Sequence, residues 1–289
     1  MDEAALRQKR KTRRDRRLLA VNTISSARQS SRPKRSLGQN FLTDPNIARK
    51  IVAALSIRPG DLVVEIGPGR GALTEFLMPS AARRVIGLEK DMALAQALAG
   101  RYPDLSLVNA DALHFPWERL NTLKNVRIIG NLPYNVASPI LWDLMSLSAS
   151  FTRAVFMVQR EVAERIVAKP RTKQYGGLTV WLQNFVAAEK LFVVSPCVFH
   201  PAPKVDSAVV AFTPKPQALR PKSGDLGALA KLVRRLFSMR RKQLGRIFSG
   251  EPLEAAKNYL ENEGLKISSR PEELSPRQTY ILLKYLINK

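Results

Sequence analysis

Residues 61–71, Asp-Leu-Val-Val-Glu-Ile-Gly-Pro-Gly-Arg-Gly, constrain this chain more than any other stretch. A short apolar run closed by alternate glycines reads as a buried strand turning directly into a loop, and the apolar spacing of 72–77 starts a helix behind it. Strand, glycine loop and helix in that order belong to a β-α-β unit, whose parallel strands are covered on both faces. The central region keeps the same rhythm: apolar runs at 84–88, 105–108, 126–130 and 154–158 alternate with helical patterns such as 92–98 and 138–147. This predicts an α/β, Rossmann-like, doubly wound parallel sheet that takes its ligands at the carboxyl ends of its strands.

The flanks differ in texture. Residues 1–35 hold twelve Lys or Arg against Asp2, Glu3 and Asp15, which reads as a flexible basic tail over 1–33 that orders on a polyanion. A transit peptide is the other reading of such a stretch, and the three acids count against it. Ile47, Ile51, Val52 and Leu55 recur at helical spacing, so the folded region begins near residue 34. After Tyr175-Gly176-Gly177 comes a helical stretch, then two strands at 189–194 and 207–212, expected as an antiparallel hairpin at the sheet edge across the proline-rich 196–203 loop. The prolines of 214–221 mark a linker, and Leu229, Leu232, Val233, Leu236 and Phe237 open a helical region. The expected organisation is therefore a tail at 1–33, a catalytic domain at 34–214 and a small all-helical domain at 215–289.

A formal charge of +23 draws the chain towards phosphate polymers, so nucleic acid is the first partner to consider. Residues 215–250 concentrate ten Lys or Arg against Asp225 alone. The sequence contains neither an apolar run of membrane-spanning length nor a secretory leader pattern, and a single cysteine, Cys197, leaves no internal disulfide and no multi-cysteine zinc site. These features predict a cytoplasmic protein without a membrane partner.

Gly67 and Gly69 let the backbone approach a ligand at a helix N-terminus, a nucleotide-type pocket. With Ala72 they also satisfy the dinucleotide pattern, so this loop alone does not separate a nicotinamide cofactor from S-adenosylmethionine. Glu89, ending the second strand, can accept from both ribose hydroxyls in either case. Asp111, past the third strand, can take a hydrogen bond from an adenine amino group while Ala112 offers a backbone N–H to the ring. Helix capping is the alternative employment for both carboxylates.

At the fourth strand end stands Gly130-Asn131-Leu132-Pro133-Tyr134. An exocyclic adenine amine is a poor nucleophile because its lone pair is delocalised into the ring. Two acceptors aimed at its N–H bonds, the Asn131 side-chain oxygen and the Leu132 carbonyl, draw the nitrogen towards tetrahedral geometry and aim the freed lone pair at a methyl donor. Pro133 fixes the turn and Tyr134 offers a face for the base to stack on. This chemistry needs no metal, and it favours S-adenosylmethionine over a nicotinamide.

Taken together, these motifs resemble the ribosomal RNA adenine N6,N6-dimethyltransferase family of bacteria, over about residues 34–286. The resemblance rests on Lys34-Arg-Ser-Leu-Gly-Gln39-Asn40-Phe41-Leu42, the 65–71 loop, Asn131–Tyr134, Tyr175-Gly-Gly-Leu, Phe199-His-Pro-Ala-Pro-Lys-Val-Asp-Ser-Ala-Val and Arg240-Arg241-Lys242. It implies a class I S-adenosylmethionine-dependent methyltransferase domain followed by a small C-terminal all-helical domain. In such a protein Gln39, Asn40 and Leu42 close over the cofactor, Glu65, Gly67, Gly69, Glu89, Lys90, Asp111 and Ala112 hold it, and Asn131 touches both donor and target. Phe199 becomes a second aromatic wall opposite Tyr134, and Arg234, Arg235, Arg240, Arg241, Lys242 and Arg246 grip RNA. His114 and His200 receive no catalytic role. The implied substrate is a pair of adjacent adenines in the 3′-terminal hairpin loop of small-subunit ribosomal RNA on a pre-30S particle, dimethylated by a monomeric enzyme.

Three alternatives stand beside this reading: a large-subunit ribosomal RNA adenine methyltransferase of the macrolide-resistance type, a non-catalytic RNA- or DNA-binding factor on the same scaffold, and a nicotinamide oxidoreductase. Arg240-Arg241-Lys242 and Pro203-Lys-Val-Asp-Ser207 favour the small-subunit type over the first. The intact Asn131–Tyr134 argues against the second, and the third gives that tetrapeptide no task.

Overall fold

Asp44 and Pro45 set the first helix: the Asp44 carboxylate accepts from the N–H groups of Asn46 (2.7 Å) and Ile47 (3.1 Å), and proline suits the first helical position. This helix, α1 (Pro45–Ala54), follows a two-residue strand β1 (Phe41–Leu42) and buries Ala48, Ile51 and Val52. The computed structural model describes residues 39–148, 150–249 and 254–287, so the basic tail at 1–33 and residues 34–38 of the adjoining motif lie outside the described residues. The chain divides into two units, one running to Arg160 and including Leu191–Thr213, the other comprising Glu161–Lys190 and Pro214–Lys289.

In the first unit α1 is followed by β2 (Leu62–Ile66), the single turn α2 (Thr74–Leu77), β3 (Arg84–Glu89), α3 (Met92–Arg101), β4 (Ser106–Asn109), β5 (Val126–Asn131), α4 (Ala137–Leu147) and β6 (Phe151–Gln159). Later strands are β7 (Val186–Val194), β8 (Phe199–His200) and β9 (Ser207–Pro214). The main sheet has the order β4-β3-β2-β5-β6-β9-β7, with the first five strands parallel and β9 antiparallel to β6. Every residue of β2 is buried, as a central parallel strand covered on both faces demands, and this is why its sequence shows no polar alternation.

From β2 the chain winds to β3 and β4 on one side, then crosses to β5 and β6 on the other. The order therefore reverses between β2 and β5, and a crevice opens beyond their carboxyl ends. The two strands run close there. A Cβ added at Gly130 would lie 2.6 Å from the Ile66 carbonyl oxygen, so only glycine lets β5 reach the crevice in register with β2. At the opposite end Arg127 pairs with Asp61, both almost fully buried, and Arg127 also donates to the Leu55 carbonyl at 2.7 Å while Asp61 accepts from the Arg58 N–H at 2.7 Å.

The strands expected at 84–88, 105–108, 126–130 and 154–158 all form, with small shifts or extensions at their ends. The expected edge hairpin is more elaborate. β7 and β9 are neighbours at the sheet edge, but the proline-rich segment between them contributes β8, which pairs antiparallel with β1 in register Leu42↔Phe199 and Phe41↔His200. Two-residue strands carry no periodicity, so neither was visible in the sequence.

The second unit is not the single C-terminal block expected at 215–289, because 161–190 joins it. It contains α5 (Arg160–Ile166), α6 (Gly177–Phe185), α7 (Leu226–Ser238), the short α8 (Leu244–Ile247), α9 (Glu254–Asn262) and α10 (Pro276–Ile287). α6 packs on α7 and α10, and α7 turns Leu229, Leu232, Val233 and Leu236 inward. Tyr175, fully buried, donates its hydroxyl to the Leu274 carbonyl at 2.6 Å and meets the Phe237 ring at 6.0 Å between centroids.

Candidate active site

The four strand ends β2, β3, β4 and β5 deliver Glu65, Glu89, Asp111 and Asn131 to one cleft, with the β1 segment alongside. Gln39, Asn40, Leu42, Gly67, Gly69, Lys90, Ala112, Leu132, Pro133 and Tyr134 line it as well. Phe199 is the exception among the anticipated cofactor and catalytic residues. It is 4% exposed and belongs to the apolar core with Leu42, Ile51 and Val209, because pairing of β8 with β1 turns it inward. It is not among the residues that line the cleft.

The glycine loop is held by Glu89. Gly67 and Gly69 adopt left-handed φ of 65° and 59°, and the Gly69 N–H donates to Glu89 Oε2 at 2.9 Å. Glu89 Oε1 accepts from the Asp91 N–H at 2.8 Å, and each oxygen keeps a second lone pair for a ligand hydroxyl. Burial raises the Glu89 carboxyl above its ordinary value, against the opposing backbone hydrogen bonds from Asp91 and Gly69. Asn109, which the sequence reading passed over, ties down the turn after β3 by donating to the carbonyls of Glu89 (2.9 Å) and Lys90 (3.1 Å).

Glu65 is 1% exposed at the floor of the cleft. Its burial raises the carboxyl to about 8, the hydrogen bond from Thr74 Oγ1 at 2.7 Å opposes this, and the Glu89 charge adds to it. Glu65 is therefore mostly protonated at neutral pH. Asp111 behaves oppositely: burial would raise it, but Lys90 Nζ at 2.8 Å and the Leu113 N–H at 3.0 Å outweigh that and hold it below the usual range.

The donor set separates the two cofactors that the glycine loop left open. A dinucleotide would need loop N–H groups for its pyrophosphate, yet the Gly69 N–H is spent on Glu89. The free lone pairs of Glu89 suit ribose hydroxyls, Glu65 can release its proton beside a positively charged ligand, and Leu94, Leu113 and Ile140 add apolar surface for a purine. S-adenosylmethionine fits these residues.

Asn131 and Tyr134 are oriented from far away in the chain. Asn131 Nδ2 donates to the Asn40 carbonyl at 3.0 Å, which sets the side-chain amide and directs Oδ1 away from that contact. The Leu132 N–H donates to the Met157 carbonyl at 3.1 Å, fixing the next peptide. The Tyr134 hydroxyl lies 2.6 Å from Ser207 Oγ, on a serine that is completely buried at the start of β9. Desolvation raises the Tyr134 hydroxyl pKa, opposed by the Ser207 hydrogen bond. Ser207 stood inside a recognised motif without being given a task.

The six anticipated RNA-binding residues lie in the second unit and divide into two groups. Arg234, Arg241, Lys242 and Arg246 are exposed. Arg235 donates to the Ile247 carbonyl with its guanidinium 5.0 Å from the centre of the Phe248 ring, and Arg240 is engaged by Glu272 and two loop carbonyls. Both guanidinium groups are thus engaged within the unit.

Comparison with known proteins adds the chemical context. Residues 30–288 match the family described as ribosomal RNA adenine dimethylase. The chain is 51% identical over 261 residues to the ribosomal RNA small subunit methyltransferase A of Oleidesulfovibrio alaskensis, covering 88% of this chain and 92% of that one. It is 48% identical to the protein of the same name from Maridesulfovibrio salexigens, covering 89% and 97%. Among solved structures, a dimethyladenosine transferase from Plasmodium falciparum superposes with TM-score 0.69 at 29% identity, over 84% of this chain and 95% of that one. The 23S rRNA methyltransferase ErmE superposes with TM-score 0.65 at 27% identity, over 86% and 99%.

Proposed function

The chain belongs to the ribosomal RNA adenine dimethylase family, and from that premise we propose that it dimethylates N6 of two adjacent adenines in the 3′-terminal hairpin loop of small-subunit ribosomal RNA, with S-adenosylmethionine as donor. The observation that carries the reading is the Asn40 carbonyl on Asn131 Nδ2, which leaves the Asn131 oxygen as the acceptor turned to the substrate. The substrate is a pre-30S particle, the enzyme acts as a monomer, and the site of action is the cytoplasm. No helix of the described residues is long and apolar enough to cross a membrane.

Bound S-adenosylmethionine supplies a methyl group on a sulfonium already activated for transfer. Of the residues lining the cleft, Glu89 would accept from its ribose hydroxyls, Asp111 and the Ala112 N–H would read its adenine, and Gln39, Asn40 and Leu42 would cover it from the β1 side. A loop base is turned out at little unstacking cost and lies against Tyr134. Asn131 Oδ1 and the Leu132 carbonyl would accept from the two N–H bonds of its amine, freeing the nitrogen lone pair for the methyl group that the cofactor would supply. The proton lost from the methylated nitrogen goes to water. The monomethylated amine keeps one N–H, so in the second transfer a single acceptor would hold the nitrogen, and loss of that last proton to water would leave the dimethyl product.

Tyr134 is pinned at both ends, by the Pro133 turn and by Ser207. Tyr134→Phe and Ser207→Ala should each slow single-turnover methyl transfer by about five- to tenfold, the worth of one ordinary hydrogen bond. The double variant should be no slower than either single variant. Multiplying losses would mean that the two hydroxyls act separately.

Glu65 makes cofactor binding pH-dependent. The free protein holds a proton on Glu65 up to about pH 8, and a cationic ligand beside it favours the carboxylate, so binding expels that proton. Affinity for S-adenosylmethionine should fall as pH drops below about 8, by up to about tenfold per unit. Calorimetry at pH 7 in two buffers of different ionisation enthalpy should register close to one proton released, and Glu65→Gln should abolish the release. Equal apparent enthalpies for the wild type in both buffers would refute it.

Labelled methyl transfer to undermethylated ribosomal subunits, with the modified nucleotides mapped, tests the function. Label on adjacent adenines of the small-subunit 3′ hairpin is expected. Label confined to large-subunit RNA would transfer the reading to the ErmE-like reaction, and no label would end it.

A further inference from the structure

Arg240 leads to a surface outside the catalytic cleft. Its Nε–H donates to Glu272 at 2.6 Å, and its terminal nitrogens donate to the carbonyls of Lys173 (2.8 Å) and Thr172 (3.0 Å). A guanidinium committed in three directions inside its own unit has little left for a phosphate. It acts instead as a strut between the start of the Arg240-Arg241-Lys242 motif and the loop 169–174, Lys-Pro-Arg-Thr-Lys-Gln.

That loop is basic, and it is built to hold its shape. Lys169, Arg171 and Lys173 are all exposed. Exposed loops commonly have mobile backbones. Here the Arg171 N–H donates to the Glu272 carbonyl at 2.8 Å, Thr172 Oγ1 donates to the Lys169 carbonyl at 2.7 Å, and the buried Tyr175 anchors the far end through Leu274. The local acids are already occupied: Glu272 takes Arg240, and Glu273 takes Arg171 at 3.4 Å. Lys169, Lys173, Arg241 and Lys242 form no ion pair among the described residues. Two basic segments some 70 residues apart are thus joined by one arginine, with their exposed cations left without counter-charge on a fixed backbone. Such pre-ordering lowers the entropy cost of gripping a polyanion.

We propose that Lys169 and Lys173, with Arg241 and Lys242, form a single phosphate-binding surface for the RNA backbone, assembled by Arg240 acting as a strut. The proposal rests on the reading of this chain as an RNA-modifying enzyme, since the polyanion is that substrate.

Equilibrium binding of the full chain to undermethylated small subunits across a KCl series provides the test. Lys169→Gln/Lys173→Gln changes only exposed residues and should flatten the slope of log K against log salt by about 1.4 to 1.8, at 0.7 to 0.9 per phosphate contact. Affinity near 0.1 M salt should drop about tenfold or more, with the KM for S-adenosylmethionine unchanged. Arg240→Gln should speed hydrogen exchange at the Thr172 and Tyr175 amides, which a direct phosphate ligand would leave untouched. A wild-type slope in the lysine variant, or unaltered exchange in Arg240→Gln, overturns the proposal. Its failure is distinguishable from failure of the functional reading, because wild-type protein would still label small-subunit adenines.

Discussion

Asn131→Ala is expected to slow methyl transfer by about a thousandfold or more while S-adenosylmethionine binding changes only a few-fold. The side chain stands at the end of β5 with its nitrogen on the Asn40 carbonyl, so its oxygen is a preoriented acceptor. Removing a preorganised dipole of this type costs about two to three orders of magnitude in other enzymes. The loss here is larger because the same group also aims the lone pair, and misorientation of the attacking atom adds to it. Single-turnover transfer measures the chemistry, and calorimetric titration with S-adenosylmethionine measures binding. Asn131→Asp is a sharper probe: it keeps two oxygens but loses the N–H that meets Asn40, so its acceptor is no longer held in place. It should be nearly as slow as Asn131→Ala. Wild-type turnover in either variant would end the two-acceptor mechanism, and an equal loss of cofactor affinity would relocate Asn131 to binding alone.

The second large effect is on stability, at the other end of the same strand. Arg127→Leu should destabilise the protein by about 3–5 kcal/mol, because it leaves the Asp61 carboxylate buried without its cation. For a chain of this size that corresponds to a drop in Tm of roughly 10 °C. The Leu55 carbonyl, which also accepts from Arg127, is orphaned too. Asp61→Leu/Arg127→Leu together should be less harmful than Arg127→Leu alone, since the pair repays much of its desolvation only when both members are present. Thermal unfolding of the three variants decides the matter, and simple additivity would mean that the ion pair contributes nothing beyond its separate groups. Methyl transfer by folded Arg127→Leu at low temperature should stay near wild type, because Arg127 lies at the strand end away from the cleft.

Much of the site was legible in the residue order because it depends on local pattern. Where a buried strand stops is visible as the end of an apolar run, and in a parallel sheet all such ends open on one edge. Glu65, Glu89, Asp111 and Asn131 could therefore be placed together with no knowledge of any contact. Phe199 was not placed by that reasoning: its role as a second wall was implied by the family resemblance, and its burial beside Leu42, through a two-residue pairing with β1, has no sequence signal. Arg240, which the resemblance placed among the RNA-binding residues, is likewise set by tertiary contacts that no local pattern encodes: its guanidinium donates to Glu272 and to the carbonyls of Lys173 and Thr172.

The sequence by itself determined the sheet, the order of its strand ends, the acidic and glycine-rich lining of the cleft and the presence of a basic helical region. Those properties follow from periodicity and side-chain chemistry within short windows. Only the tertiary structure decided how the reactive groups are aimed: Asn40 sits 91 positions from Asn131, and Tyr134 sits 73 from Ser207. A hydrogen bond requires its partners to coincide within a few tenths of an ångström. Such coincidence is a property of the folded chain as a whole, and no spacing of residues along it encodes that distance.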